Sequence, residues 1–120
     1  MSSWIQGLIK RLTAPATPTT PTRTLGVAFQ PSVTDTVDAV YTIKQIVLHG
    51  QDSVVTLLSD SANPPTTERG SVELALTDDT ASITTRQQIV YRVPPGHYVK
   101  LVASGTGTPS VQSSSETPAQ

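Results

Sequence analysis

The stretch ASITTRQQIVYRVPPGHYVKLVA, residues 81–103, constrains the fold more than any other part of the chain. Ala81, Ile83, Ile89, Tyr91 and Val93 fall on one side of an extended strand, with Ser82, Thr84, Arg86, Gln88 and Arg92 on the other. A period of two belongs to a strand, because successive Cβ atoms point to opposite faces. Pro94-Pro95-Gly96-His97 has the form of a type II turn: Pro95 presets φ at the second position, and Gly96 takes the positive φ required at the third. Val99, Leu101 and Ala103 then resume the alternation on one face. Strand, tight turn and returning strand commit the chain to β-sheet.

The same punctuation recurs upstream. GVAF (26–29) is a short first strand stopped by Pro31. DAVYTIKQIVLHG (38–50) is long and rich in β-branched residues; Tyr41 and Ile43 share one face while Ile46 and Leu48 share the other, which predicts a bulge near Lys44 and Gln45. SVVTLLS (53–59) follows, and DSANPPTTERG (60–70) is a loop, since two successive prolines cannot donate to a ladder. SVELAL (71–76) alternates through Val72, Leu74 and Leu76 before a turn at Thr77-Asp78-Asp79. The pattern predicts an all-β domain over residues 24–105, a small antiparallel β-sandwich of jelly-roll or Ig-like type. Residues 106–120, dominated by Ser, Thr, Pro and Gln, are expected to form a flexible C-terminal tail.

The first 23 residues follow different rules. Trp4, Ile5, Leu8, Ile9 and Leu12 recur at the spacing of one helix face, Ser3 with Gln6 makes a capping box, and Lys10 and Arg11 sit where cations oppose the helix dipole. The expectation is an amphipathic anchor helix over residues 1–12, too short to persist alone in water. Pro15, Pro18 and Pro21 fall every third residue, the repeat of polyproline II, so residues 13–23 are expected to be an extended spacer. Residues 1–24 carry Lys10, Arg11 and Arg23 and no acid, whereas the remainder is net acidic. The apolar run falls short of the roughly 20 residues that a bilayer span needs, and its charges follow rather than precede it, unlike a signal peptide.

Composition narrows the chemistry. There is no Cys, which removes disulfides, thiolate zinc sites and cysteine nucleophiles. The net charge of −1 argues against a nucleic-acid partner, even if Arg86, Arg92 and Lys100 share a face. His49 and His97 could join Asp52 or Asp60 in a metal site, but nothing in their spacing demands convergence. No Ser occupies a G-x-S-x-G elbow, and the pairs Asp35/Asp38 and Asp78/Asp79 fit turn capping better than a glycosidase dyad. No catalytic residue, cofactor or metal is expected, and the reading is that of a non-enzymatic protein. The anchor segment keeps three uses open: packing on its own domain, lying on lipid, or docking into a groove of a partner protein. The third is favoured, because a spacer carries the helix away from the domain and five apolar residues bind lipid only weakly. A core of about 80 residues also gains buried area by symmetric association, with a trimer favoured.

AFQPS (28–32), LLSDSANPPTTERGSV (57–72) and VYRVPPGHYVKLVASGTGTP (90–109) together resemble a group of small β-rich proteins of tailed bacteriophages, in which the core opens near an FQPS-like segment and closes with a VPxGxYV hairpin. The likeness covers residues 24–109 and leaves out the helix and spacer. It implies a virion accessory role, as capsid decoration, head fibre or tail appendage, located in the virion and in the host cytoplasm during assembly. Capsid or tail proteins are then the expected partners of Trp4, Ile5, Leu8, Ile9 and Leu12, with a host surface as a further contact. A non-virion assembly or host-interaction factor and a membrane-associated protein of the lysis stage are the alternatives.

Overall fold

Alternation of buried and open positions organises every strand of the computed structural model, which describes residues 16–47, 51–75 and 83–119. Six strands run in chain order: β1 (Val37–Val47), β2 (Asp52–Asp60), β3 (Glu68–Ala75), β4 (Ile83–Val93), β5 (Tyr98–Gly105) and β6 (Ser110–Pro118). They form two three-stranded sheets, β4-β1-β6 and β3-β2-β5, in which all pairs are antiparallel. The fold is all-β and sandwich-like, with no helix among the described residues.

Each sheet is built on its central strand. β1 presents Val37, Ala39, Tyr41 and Ile43 to the interior, and β2 presents Val55 and Leu57. Leu74 of β3, Ile89 and Val93 of β4, and Val99 and Leu101 of β5 complete a single buried cluster, with Leu25, Phe29, Val72, Tyr91 and Val111 packed against it. Burying such side chains contributes about 1.5–3 kcal/mol each, which is the main source of stability for a domain with so few aromatics. β6 differs, because the inward positions Ser114 and Glu116 are polar yet buried.

The turn foreseen at Pro94–His97 is present, but the hairpin is not: the turn carries the chain from β4 of one sheet to β5 of the other, and the two strands do not pair. Gly96 has φ 76°, and the His97 amide donates to the Pro94 carbonyl at 3.2 Å. The loop between β2 and β3 is held by Asp60, whose carboxylate accepts from the amides of Ala62 (2.8 Å), Thr66 (2.9 Å) and Thr67 (3.0 Å) and from the Thr67 hydroxyl (2.9 Å). Those bonds, the Thr66 and Ala62 amides foremost, hold its pKa well below the usual carboxylate range.

Four further expectations are corrected. GVAF forms no strand; it meets β5 through the Phe29–Val99 bridge and the bond from the Gly26 amide to the Leu101 carbonyl. β1 has no bulge at Lys44 and Gln45 against β4, where the register runs unbroken from Val37↔Val93 to Val47↔Ile83. Gln45 occupies an inward position that the sequence reading reserved for an apolar residue, which leaves Ile46 on the outside at 60% exposure. The irregularity lies instead between Thr42 and Ile43 against β6, where Gln112 is the extra residue. The expected tail of residues 106–120 is a strand over most of its length: β6 pairs with β1 from Val37↔Pro118 to Lys44↔Ser110. Ser and Thr carry enough β propensity to pair once β1 offers an edge. Finally, residues 16–23 are extended but lie against the domain rather than standing off it, as described below. The anchor helix, residues 1–12, lies outside the described residues, as do Leu48, His49 and the turn at 77–79.

Gly105 makes the passage from β5 to β6 possible. It has φ +104°, and a Cβ there would run into the Asp52 carbonyl. Gly70 has open space around it. Gly105→Ala should therefore lower stability by about 1–3 kcal/mol in urea titrations, while Gly70→Ala leaves it unchanged or slightly raised.

Candidate functional site

The most unusual chemistry in the domain surrounds Glu116, the only charged residue between Leu101 and Gln120. Its position on β6 turns the side chain inward, where it is only 4% exposed. A carboxylate removed from water is costly unless it is paired and its lone pairs are occupied. Both conditions are met. Arg23 grips it with two parallel bonds, Nε to Oε2 at 2.9 Å and Nη2 to Oε1 at 2.7 Å, and the Tyr41 hydroxyl donates to Oε2 at 2.9 Å. Two-point Arg–carboxylate contact adds geometric selectivity to charge, which a lysine could not supply.

The backbone at Glu116 is engaged as well. Its amide donates to the Thr19 carbonyl at 2.9 Å, and its carbonyl accepts from the Thr19 amide at 2.8 Å and hydroxyl at 3.1 Å. Arg23 stacks over the Phe29 ring, with Cζ 4.0 Å from the centroid, and Phe29 meets Tyr41 edge-on at 5.7 Å and 72°. Farther along, the Gly26 amide donates to the Leu101 carbonyl at 2.7 Å, and Phe29 and Val99 exchange backbone bonds of 2.9 and 2.7 Å. Residues 16–30 thus form a strap that leaves the edge of β6 in one sheet and reaches the edge of β5 in the other. Burial, then the negative charge of Glu116 and the bond to it, push the Tyr41 phenol far above its ordinary pKa of 10.0.

The strap does not lie flush along its length. Between its pinned points, residues 20–25 and β6 enclose two shallow clefts of about 190 and 340 Å³, which share Thr22, Arg23 and Val111 in their walls.

Of the residues singled out in the sequence, Trp4, Ile5, Leu8, Ile9, Leu12 and Pro15 lie outside the described residues. Pro18 and Pro21 belong to the strap, Pro18 exposed and Pro21 half-buried beside one cleft. Asp38 of the first acidic pair is bound to Arg92 at 2.7 Å across β1 and β4, and Arg86 donates to Gln112 at 2.8 Å. At Asp35 it is the backbone amide that is engaged, donating to Ser32 Oγ at 2.9 Å. Among the described residues no three of His, Asp and Glu converge as a metal site would require. The sequence reading missed Glu116, Arg23 and Tyr41. One signal was present: Glu116 and Arg23 are isolated charges, each the only one in a long neutral run, and of opposite sign.

Comparison with known proteins returns no matching family model, no matching curated protein and no matching solved structure.

Removing one partner of a buried pair leaves the other uncompensated, so Arg23→Ala, which strands the buried Glu116, should cost about 3–5 kcal/mol, with Glu116→Ala nearer the lower end because the Arg23 left behind is partly exposed. Tyr41→Phe should cost about 1–2 kcal/mol by chemical denaturation. Because the folded-state pKa of Tyr41 is raised, its contribution is intact below pH 10 and is lost as pH rises beyond it. The alkaline fall in melting temperature should be shallower in Tyr41→Phe than in the parent protein.

Proposed function

We propose that this is a non-enzymatic accessory protein of a larger assembly, attached through residues 1–12, and that the assembly is a bacteriophage virion. The observation that carries the attachment reading is the strap. Thr19 and Arg23 are fixed on Glu116, so whatever Trp4, Ile5, Leu8, Ile9 and Leu12 engage is coupled to the domain through a pinned point. Only the stretch from Leu12 to Thr19 separates the two, which at full extension reaches no more than about 25 Å. A pull on the anchor loads a two-point ion pair and backbone bonds at the sheet edge rather than an open linker.

The phage setting is supported by the resemblance of residues 24–109 and places the protein as capsid decoration, head fibre or tail appendage. In this reading the anchor is an amphipathic helix seated in a groove of a capsid or tail protein, and the domain is homo-oligomeric, so that several anchors dock together and gain avidity. The three-plus-three strand arrangement stands closer to an Ig-like sandwich than to an eight-stranded jelly roll.

Removing residues 1–15 should leave a domain that melts within a few degrees of the full chain yet no longer joins particles. Removing residues 1–24 takes Arg23 as well and should lower the melting temperature markedly. Mass spectrometry of purified particles is the direct check: the full chain should be present in stoichiometric amount. Its absence there, or normal incorporation of the chain lacking residues 1–15, contradicts the proposal; co-sedimentation of residues 1–24 with liposomes would favour the lipid-bound alternative instead.

A further inference from the structure

The four outermost strands of the two sheets are not treated alike. The strap engages the outer edges of β6 at Thr19 and of β5 at Gly26 and Phe29. β3 is not bonded on its outer side among the described residues, but it carries Glu68, Arg69 and Glu73, and its register breaks opposite Leu57 and Leu58. Charges and irregular register are ways of keeping an edge from pairing. β3 comes close to β4 without pairing with it among the described residues, and β4 has no such break in register. It is eleven residues long, in unbroken register with β1, and contains no Pro, Gly or Lys. Its two arginines turn back across their own sheet, Arg92 to Asp38 and Arg86 to Gln112. Midway between the β4 residues Gln87 and Val93 stands Val90, 69% exposed and directly opposite the half-buried Val40 of β1.

We propose that the outer edge of β4, unpaired among the described residues, pairs antiparallel with the same edge of a second copy of this chain, about a two-fold axis through Val90. The register follows from the sequence of the strand. With Val90 opposite Val90 of the second copy, Gln88 faces Arg92 on the outer side, and Ile89 faces Tyr91 on the inner side, so no two arginines are opposed. Val40 and Val90 of each copy then make one apolar row of four across the joined sheets, and seven residues of each strand, Gln87 to Val93, take part. The obvious neighbouring registers do worse. Centring the axis on Ile89 sets Arg86 against Arg92, and centring it on Gln88 sets Val90 against Arg86. Direct cross-strand pairs of like charge are destabilising, and apolar pairs are favourable. A two-fold axis requires one patch to complement itself, and β4 does so in this register. The result is a dimer of sandwiches sharing a continuous six-stranded sheet, in place of the trimer that chain size alone suggested. The inference concerns the domain alone and stands whether or not the anchor joins a virion.

Sedimentation equilibrium of the full chain, with Val90→Arg and Val90→Glu variants, tests this. The parent protein should sediment at twice the 12.7 kDa chain mass. Either variant places like charges face to face on the axis and should weaken self-association by at least about ten-fold. Because Val90 is exposed, their melting temperatures at low concentration should match the monomeric parent. Mixing the two variants in equal amounts should restore the dimer, because opposite charges then meet. A monomeric or trimeric parent, association that persists undiminished in either variant, or failure of the mixture to recover would each overturn the proposal.

Discussion

The buried carboxylate of Glu116 is the constraint on which the arrangement of this domain turns. Its charge cannot be left unpaired in the interior, and the groups that satisfy it come from separate parts of the chain: Arg23 and the backbone of Thr19 from the strap, and Tyr41 from β1. A hydrophobic contact of similar area would tolerate sliding by a residue. A two-point ion pair combined with backbone bonds at Thr19 does not, since moving the strap by one position would take Arg23 away from its partner. Phe29 extends the same selection, because it receives the Arg23 guanidinium on its face while bonding to Val99 of β5. The ion pair therefore contributes less to net stability than to choosing one placement for a segment that has little apolar surface of its own.

That placement alters how the two ends of the chain relate to the core. β6 and the strap are both poor in large apolar side chains, and each covers an edge that would otherwise be open. β6 completes the sheet begun by β1 and β4, and the strap links its outer edge to that of β5. The domain is thus closed on one side by its own N-terminal segment, whereas the outer edges of β3 and β4 make no ladder bonds among the described residues. This asymmetry leaves the strapped side as the point from which the proposed anchor would depart, and the β4 edge as the one proposed for self-association.

Much of the β architecture was legible in the sequence because it rests on short-range rules. The alternation over residues 83–93 and the Pro94–His97 turn emerged as read, since pleat, proline and glycine act locally, while the loop read over 60–70 is present but gives way to β3 at Glu68. What the sequence hid depends on partners far away in the chain. Gln45 broke the apolar alternation of β1 and suggested a bulge, although the strand accepts it inward without losing register against β4. Ser110–Pro118 resembled a solvated tail because composition records propensity for burial, and β6 derives its order from pairing with β1. Pro18 and Pro21 have the polyproline period, but Thr19 and Arg23 between and beyond them decide where that rod lies. The proposed anchor residues Trp4 to Leu12 stand outside the described residues, so their part in the account rests on periodicity and charge.

Amide hydrogen exchange on the full chain tests the central claim most directly, because the Thr19 and Glu116 amides bond only if the strap is held in place. The account predicts that both exchange slowly, through openings nearly as costly as global unfolding, and that Arg23→Ala speeds Thr19 strongly while leaving Val55 in the centre of β2 much less affected. Exchange of Thr19 at the rate of an unprotected amide in the parent protein, or protection unchanged in Arg23→Ala, would contradict it.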